Sequence, residues 1–133
     1  MQKVLFICTH NSVRSQIAEG FINSLYSDRY EAFSAGTEPT RVNPYAIRVM
    51  AELGIDISKH QSKSINAFIN IPFDYIVTVC DHAKETCPYF PGKGIRLHHS
   101  FDDPSQFTGT EEDILTGFRR VRNEIRLWIE QTF

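Results

Sequence analysis

The residues that could do chemistry begin at position 8. Cys8-Thr9-His10-Asn11-Ser12-Val13-Arg14-Ser15 follows the apolar run Val4-Leu5-Phe6-Ile7 and precedes apolar residues at helical spacing, Ile17-Ala18, Phe21-Ile22 and Leu25. This reads as strand, loop, helix. The first N–H groups of a helix lack intrahelical partners, and with the helix dipole they favour a bound oxyanion. A thiol placed there is favoured as the thiolate, the form that attacks. Arg14 offers a planar fork for two oxyanion oxygens. Ser12 and Ser15 can hydrogen-bond the sulfur, and Asn11 tolerates the left-handed backbone that a curled loop needs. The competing reading of Cys8 is an inert buried thiol at a strand end. A Cys-x5-Arg-Ser spacing between strand and helix favours the nucleophile.

The elements that must position this loop follow in order. With 133 residues and 41% hydrophobic composition, the chain suits one domain over residues 1–133. A net charge of −2 argues against nucleic acid or an anionic membrane as partner. No apolar stretch reaches the roughly 18 residues of a membrane span. Met1-Gln2-Lys3 runs directly into a strand, unlike a signal peptide, so a cytoplasmic monomer is expected. Glu31 to Gly36 reads as a second strand, Asn43-Pro44 as the N-cap and first residue of a helix ended by Gly54, and Ile65, Phe68 and Ile69 as a short helix before Pro72. Asp74 to Cys80 is near-continuously apolar and β-branched, as in an interior parallel strand. Ile95 to His99 gives a last short strand, and Thr110 with Asp113 a capping box before a helix that turns Ile114, Leu115, Phe118, Val121, Ile125, Trp128 and Ile129 inward. Arg119, Arg120, Arg122 and Arg126 are expected largely outward. The order predicts an α/β fold, a three-layer domain around a central parallel sheet of about four strands.

Ligands in open parallel sheets bind beyond the C-terminal ends of the strands, so Cys8 and Cys80 can share one edge. Three cysteines in a reducing compartment suit reactive thiols better than a structural staple. Between Cys80 and Cys87 lies a stretch without glycine or proline, predicted to form about two helical turns. At about 1.5 Å per residue the two thiols stand roughly 10 Å apart along such a helix, beyond the about 4.4–6.8 Å between Cα atoms that a disulfide needs. Bridging them requires unwinding, which couples oxidation to exposure.

The loop spacing resembles the phosphate loop of the low-molecular-weight tyrosine phosphatase superfamily. Phosphate and arsenate are near-identical tetrahedral oxyanions, so the loop alone chooses neither. Adding Ser34-Ala35-Gly36-Thr37, Asn43-Pro44, Gly54 to Ser58, Cys80, Cys87-Pro88 and Phe101-Asp102-Asp103-Pro104, nearly the whole chain resembles the thioredoxin-coupled arsenate reductases. That resemblance implies a relay: Cys8 attacks arsenate, Cys80 displaces arsenite, Cys87 resolves the Cys8–Cys80 disulfide, and thioredoxin reduces Cys80–Cys87, with no bound cofactor. It implies oxyanion binding by residues 9–15 and makes Asp103 the general acid, against a plain turn cap.

The chain departs from the family at three positions. His10 replaces a common glycine, Val13 replaces a cysteine or small residue, and Lys63 stands where some members carry a carboxylate. In cation-binding members, that carboxylate with residues matching Asn11, Glu19 and Ser34 holds potassium beneath the loop. Here the Lys63 ammonium is expected to replace the ion by pairing with Glu19, with no metal bound. His10 could tune the anion site by charge or be a plain rim residue. Three other readings stay open: a phosphatase using Cys8, Arg14 and Asp103; an oxyanion or redox sensor that does not turn over; and zinc held by Cys80, Cys87 and His82 with His98 or His99, whose spacing fits no usual pattern.

Overall fold

The computed structural model describes residues 1–81 and 89–133. The helix expected between Cys80 and Cys87, and Cys87 and His82 themselves, lie outside the described residues. Strands β1 (Gln2–Ile7), β2 (Tyr30–Ala35), β3 (Tyr75–Thr78) and β4 (Ile95–His98) form one sheet in the order β2-β1-β3-β4. Every pair is parallel. Helices α1 (Arg14–Leu25), α2 (Pro44–Ala51) and α3 (Glu111–Thr132) carry the connections and the C-terminal segment.

Interior strand β1 explains the two-sided core. Val4, Leu5, Phe6 and Ile7 are all fully buried, and successive side chains leave opposite faces of the pleat. Val4 and Phe6 join the cluster built by Ile17, Phe21 and Ile22 of α1, Val49 and Met50 of α2, and Phe118, Val121 and Ile125 of α3. Leu5 and Ile7 join Phe68, Phe73, Ile76 and Phe90 on the other face. A short 3-10 turn, Ile65–Phe68, supplies part of that cover where a short helix is expected. Among the described residues no helix is long and apolar enough to cross a membrane.

The helix signals operate as expected. Asn43 caps α2 through its Oδ1, which accepts from Tyr45 N at 2.8 Å, with Pro44 at the first helical position. Thr110 and Asp113 form a reciprocal capping box at the start of α3. Two expectations need correcting. The helix expected to run to Gly54 ends at Ala51, and Leu53 beyond it is exposed. Arg122 is buried, not outward: its Nη1 donates to Val49 O and Glu52 Oε1, both at 2.8 Å. Apolar periodicity places a helix face but misses a long side chain whose stem packs while its head satisfies the end of a neighbouring helix. The Arg119 hydrogen bond, with help from Arg122, holds the Glu52 carboxyl below its usual range.

The registers bring the four strand ends level, with Ile7 opposite both Ala35 and Thr78, and Thr78 opposite His98. Everything that leaves that edge therefore enters one region: the Cys8 loop, Gly36, Val79-Cys80 and His99. Gly36 lies so close beneath the loop that an added Cβ would meet the Thr9 carbonyl oxygen, the Cys8 carbonyl oxygen at 2.8 Å and Asn11 N at 2.9 Å. These are backbone atoms that cannot turn aside. Gly36→Ala is therefore expected to lower stability by about 1–3 kcal/mol and to abolish oxyanion binding, measured by chemical denaturation and by titration with phosphate.

Candidate active site

Residues 8–13 curl between β1 and α1, and hydrogen bonds to their carbonyls set the curl. Thr9 O accepts from Glu38 N at 3.0 Å, His10 O from Thr40 N at 3.3 Å, and Ser12 O from Asn43 N at 3.1 Å. Asn11 O accepts from Gln16 Nε2 at 3.2 Å. In a trans peptide the N–H points opposite to the preceding carbonyl, so turning carbonyls outward presents N–H groups to the enclosed side. Helix α1 adds to this, having neither a side-chain cap at Val13 nor an acidic residue in its first turn. Asn11 takes φ 48°, as the curled loop requires.

Within the curl Cys8 is 2% exposed and is a free thiol. Its Sγ lies 2.9 Å from Ser15 Oγ. Asn11 Nδ2 donates to that same Ser15 oxygen at 2.8 Å, leaving the serine hydroxyl hydrogen to donate to sulfur. Ser15 thus takes the sulfur-bonding place expected of Ser12 or Ser15, while Ser12 lines the cavity. The side chains of Thr9, Asn11, Val13 and Ser15 are buried, so these positions offer an anion mainly their backbone. Cys8, His10, Ser12, Arg14, Asp103 and Ser105 line a cavity of about 10 Å³. That holds roughly one water, so admitting a tetrahedral oxyanion requires the mouth to widen.

Arg14 and Asp103 form part of that mouth. Arg14, 2% exposed, donates from Nη1 to Phe101 O at 3.3 Å, and its Nη2 lies 3.7 Å from Asp103 Oδ2. Asp103 Oδ1 accepts from Ser105 N at 3.0 Å and Ser105 Oγ at 2.7 Å, capping the 3-10 turn Pro104–Gln106. The two readings of Asp103 thus fall on different oxygens: Oδ1 caps and Oδ2 faces the guanidinium.

Beneath the loop, Asn11 Oδ1 accepts from Gln16 Nε2 at 3.0 Å and Lys63 N at 2.8 Å. Glu19 Oε1 accepts from Ser34 Oγ at 2.9 Å and lies 3.8 Å from Lys63 Nζ, which also donates to Gln61 O at 2.6 Å. Glu19 Oε2 lies 3.1 Å from His60 Nδ1. The ammonium therefore stands against the carboxylate, as the sequence leads one to expect. His60 and Gln16 were not anticipated. Gln16 Oε1 is 3.0 Å from the same His60 nitrogen, and its Nε2 also reaches Gln61 O at 2.8 Å. Gln16 and Glu19 share one face of α1 at i, i+3, a spacing that could have flagged Gln16; nothing local marks His60.

Cys80 lies two residues past the end of β3, the strand beside β1. Val79 N donates to Ile7 O at 3.0 Å, putting the two cysteines just past the ends of adjacent strands. Cys80 is fully buried and disulfide-bonded.

A family model described as low molecular weight phosphotyrosine protein phosphatase matches residues 3–132. The chain belongs to that family. Within it, the chain is 46% identical to arsenate reductase 1 of Staphylococcus epidermidis over 98% of its own length and 96% of the relative's. A solved arsenate reductase in its phosphate binding state superposes with a TM-score of 0.83 at 34% identity, covering 98% of this chain and 95% of that one. A thioredoxin-dependent arsenate reductase of Corynebacterium glutamicum matches at a TM-score of 0.62 and 26% identity, over all of this chain and 64% of that chain.

For this phosphatase-family loop, the Lys63–Glu19 contact predicts indifference to potassium. Exchanging potassium for a large organic cation should leave the wild-type melting temperature unchanged. Lys63→Ala should lose about 1 kcal/mol and gain a potassium-dependent rise in melting. A potassium-stabilised wild type with an indifferent variant contradicts the assignment.

Proposed function

We propose that this protein reduces arsenate to arsenite through a relay of three thiols regenerated by thioredoxin. The observation that carries the reading is the state of two cysteines at one sheet edge: Cys8 free inside the loop, Cys80 disulfide-bonded at the end of the neighbouring strand. That pattern suits the end of a relay in which the nucleophile has been released and the oxidation has passed to Cys80. The relatives named arsenate reductase support the substrate.

The chemistry balances as follows. Cys8 thiolate attacks the arsenic of monohydrogen arsenate and displaces its hydroxyl group, which takes one proton from Asp103 and leaves as water while the S–As bond forms. Asp103 Oδ1 is occupied by Ser105, so Oδ2, facing Arg14, is the oxygen that carries this proton. Arg14 and the loop N–H groups hold the remaining oxyanion oxygens. Cys80 thiolate then attacks Cys8 sulfur; the S–As electron pair passes to arsenic, reducing As(V) to As(III), and arsenite departs. Cys87 attacks Cys80 sulfur and frees Cys8. A thioredoxin dithiol returns the two electrons by exchange with Cys80–Cys87. No bound cofactor enters, and a reducing cytoplasm suits the thiols.

Arsenate-dependent NADPH consumption with thioredoxin and thioredoxin reductase tests this. Cys8→Ser, Cys80→Ser and Cys87→Ser should each abolish turnover. Phosphatase chemistry needs Cys8, Arg14 and Asp103 alone, so phosphoester hydrolysis untouched by Cys80→Ser and Cys87→Ser, without arsenate turnover, would establish the phosphatase reading instead. A sensor would oxidise once and consume no further NADPH.

A further inference from the structure

The loop residue left without a role in the relay is His10. Its Nδ1 lies 3.1 Å from Glu38 O. A carbonyl oxygen only accepts, so Nδ1 carries the hydrogen and Nε2 is the nitrogen that gains or loses a proton. The residue's own carbonyl is held by Thr40 N at 3.3 Å and Ser62 Oγ at 2.9 Å. Backbone and ring are thus fixed, with the side chain at the mouth of the cavity that Cys8, Arg14 and Asp103 also line.

Charge in that cavity is short on the positive side. A dianionic tetrahedral oxyanion brings two negative charges into it, and Arg14 is the one permanently charged cation among the residues lining it. We propose that His10 is a substrate-binding residue whose Nε2, in the protonated ring, donates to the outward oxygens of the bound oxyanion and so brings a second positive charge to them. The ionisable groups that line the cavity with the ring are Cys8 and Arg14 of the loop and Asp103 of the opposite wall, and Glu38 meets it through its backbone carbonyl. The proposal deepens the reading of the loop as an oxyanion site and rests on it.

Inorganic sulfate is a suitable probe because it remains a dianion on both sides of the usual histidine range. Its affinity is measured calorimetrically at about pH 6 and about pH 8 for the wild type, His10→Gln and His10→Gly. The wild-type to variant affinity ratio should rise about three- to fivefold from the higher to the lower pH. Equal ratios at both pH values overturn the role of His10. Arg14→Lys, confirmed folded by circular dichroism, separates that failure from failure of the site itself. It should weaken sulfate binding at both pH values; unchanged binding would mean that the loop is not the oxyanion site, and the inference would fall with it.

Discussion

The site depends on one buried amide. Asn11 is fully buried in a left-handed conformation, and its side chain works in three directions: Nδ2 donates to Ser15, while Oδ1 accepts from Gln16 and from the Lys63 backbone. Leaving any of these groups unpaired in the interior would cost about 1–3 kcal/mol. The loop therefore has one well-satisfied shape. It fixes the Ser15 oxygen against the Cys8 sulfur and ties the curl to the segment at residues 61–64. Lys63, His60 and Ser34 gather on the Glu19 carboxylate, so the floor of the site is an ion-bearing layer close beneath the anion cavity.

The parallel sheet gathers this local arrangement at one edge. Neighbouring strands lie about 4.8 Å apart, and the β1 and β3 registers end within a residue of each other. Cys8 directly follows β1 and Cys80 stands two residues past β3, so both leave the sheet at the same edge. The same edge brings Gly36 under the loop, where only a missing side chain permits the approach. From the far side of the sheet edge, the Phe101 to Ser105 segment delivers a carbonyl to Arg14 and a carboxylate to the cavity mouth.

Much of this was legible in the chain because the decisive signals are local. The run Val4 to Ile7, the Cys8 to Ser15 spacing, Asn43-Pro44 and the Thr110–Asp113 box each state their structure within a few residues. The approach of Lys63 to Glu19 was anticipated from its place in the family pattern. Contacts distant in sequence were harder. His60 against Gln16 and Glu19, Arg122 turned inward onto Val49, and Arg14 bonded to the Phe101 carbonyl depend on how separate segments meet, which periodicity and spacing do not encode. Asp103 stood under two competing readings, and the structure gives its Oδ1 to the turn cap and leaves its Oδ2 facing Arg14.

The central claim is that arsenic is reduced when Cys80 takes the Cys8 sulfur. The direct measurement is a single turnover of fully reduced Cys87→Ser protein with stoichiometric arsenate, followed by thiol alkylation and peptide mass mapping. The account predicts arsenite release in step with a Cys8–Cys80 disulfide that persists because no third thiol resolves it. Arsenite released with both thiols still open to alkylation would contradict it.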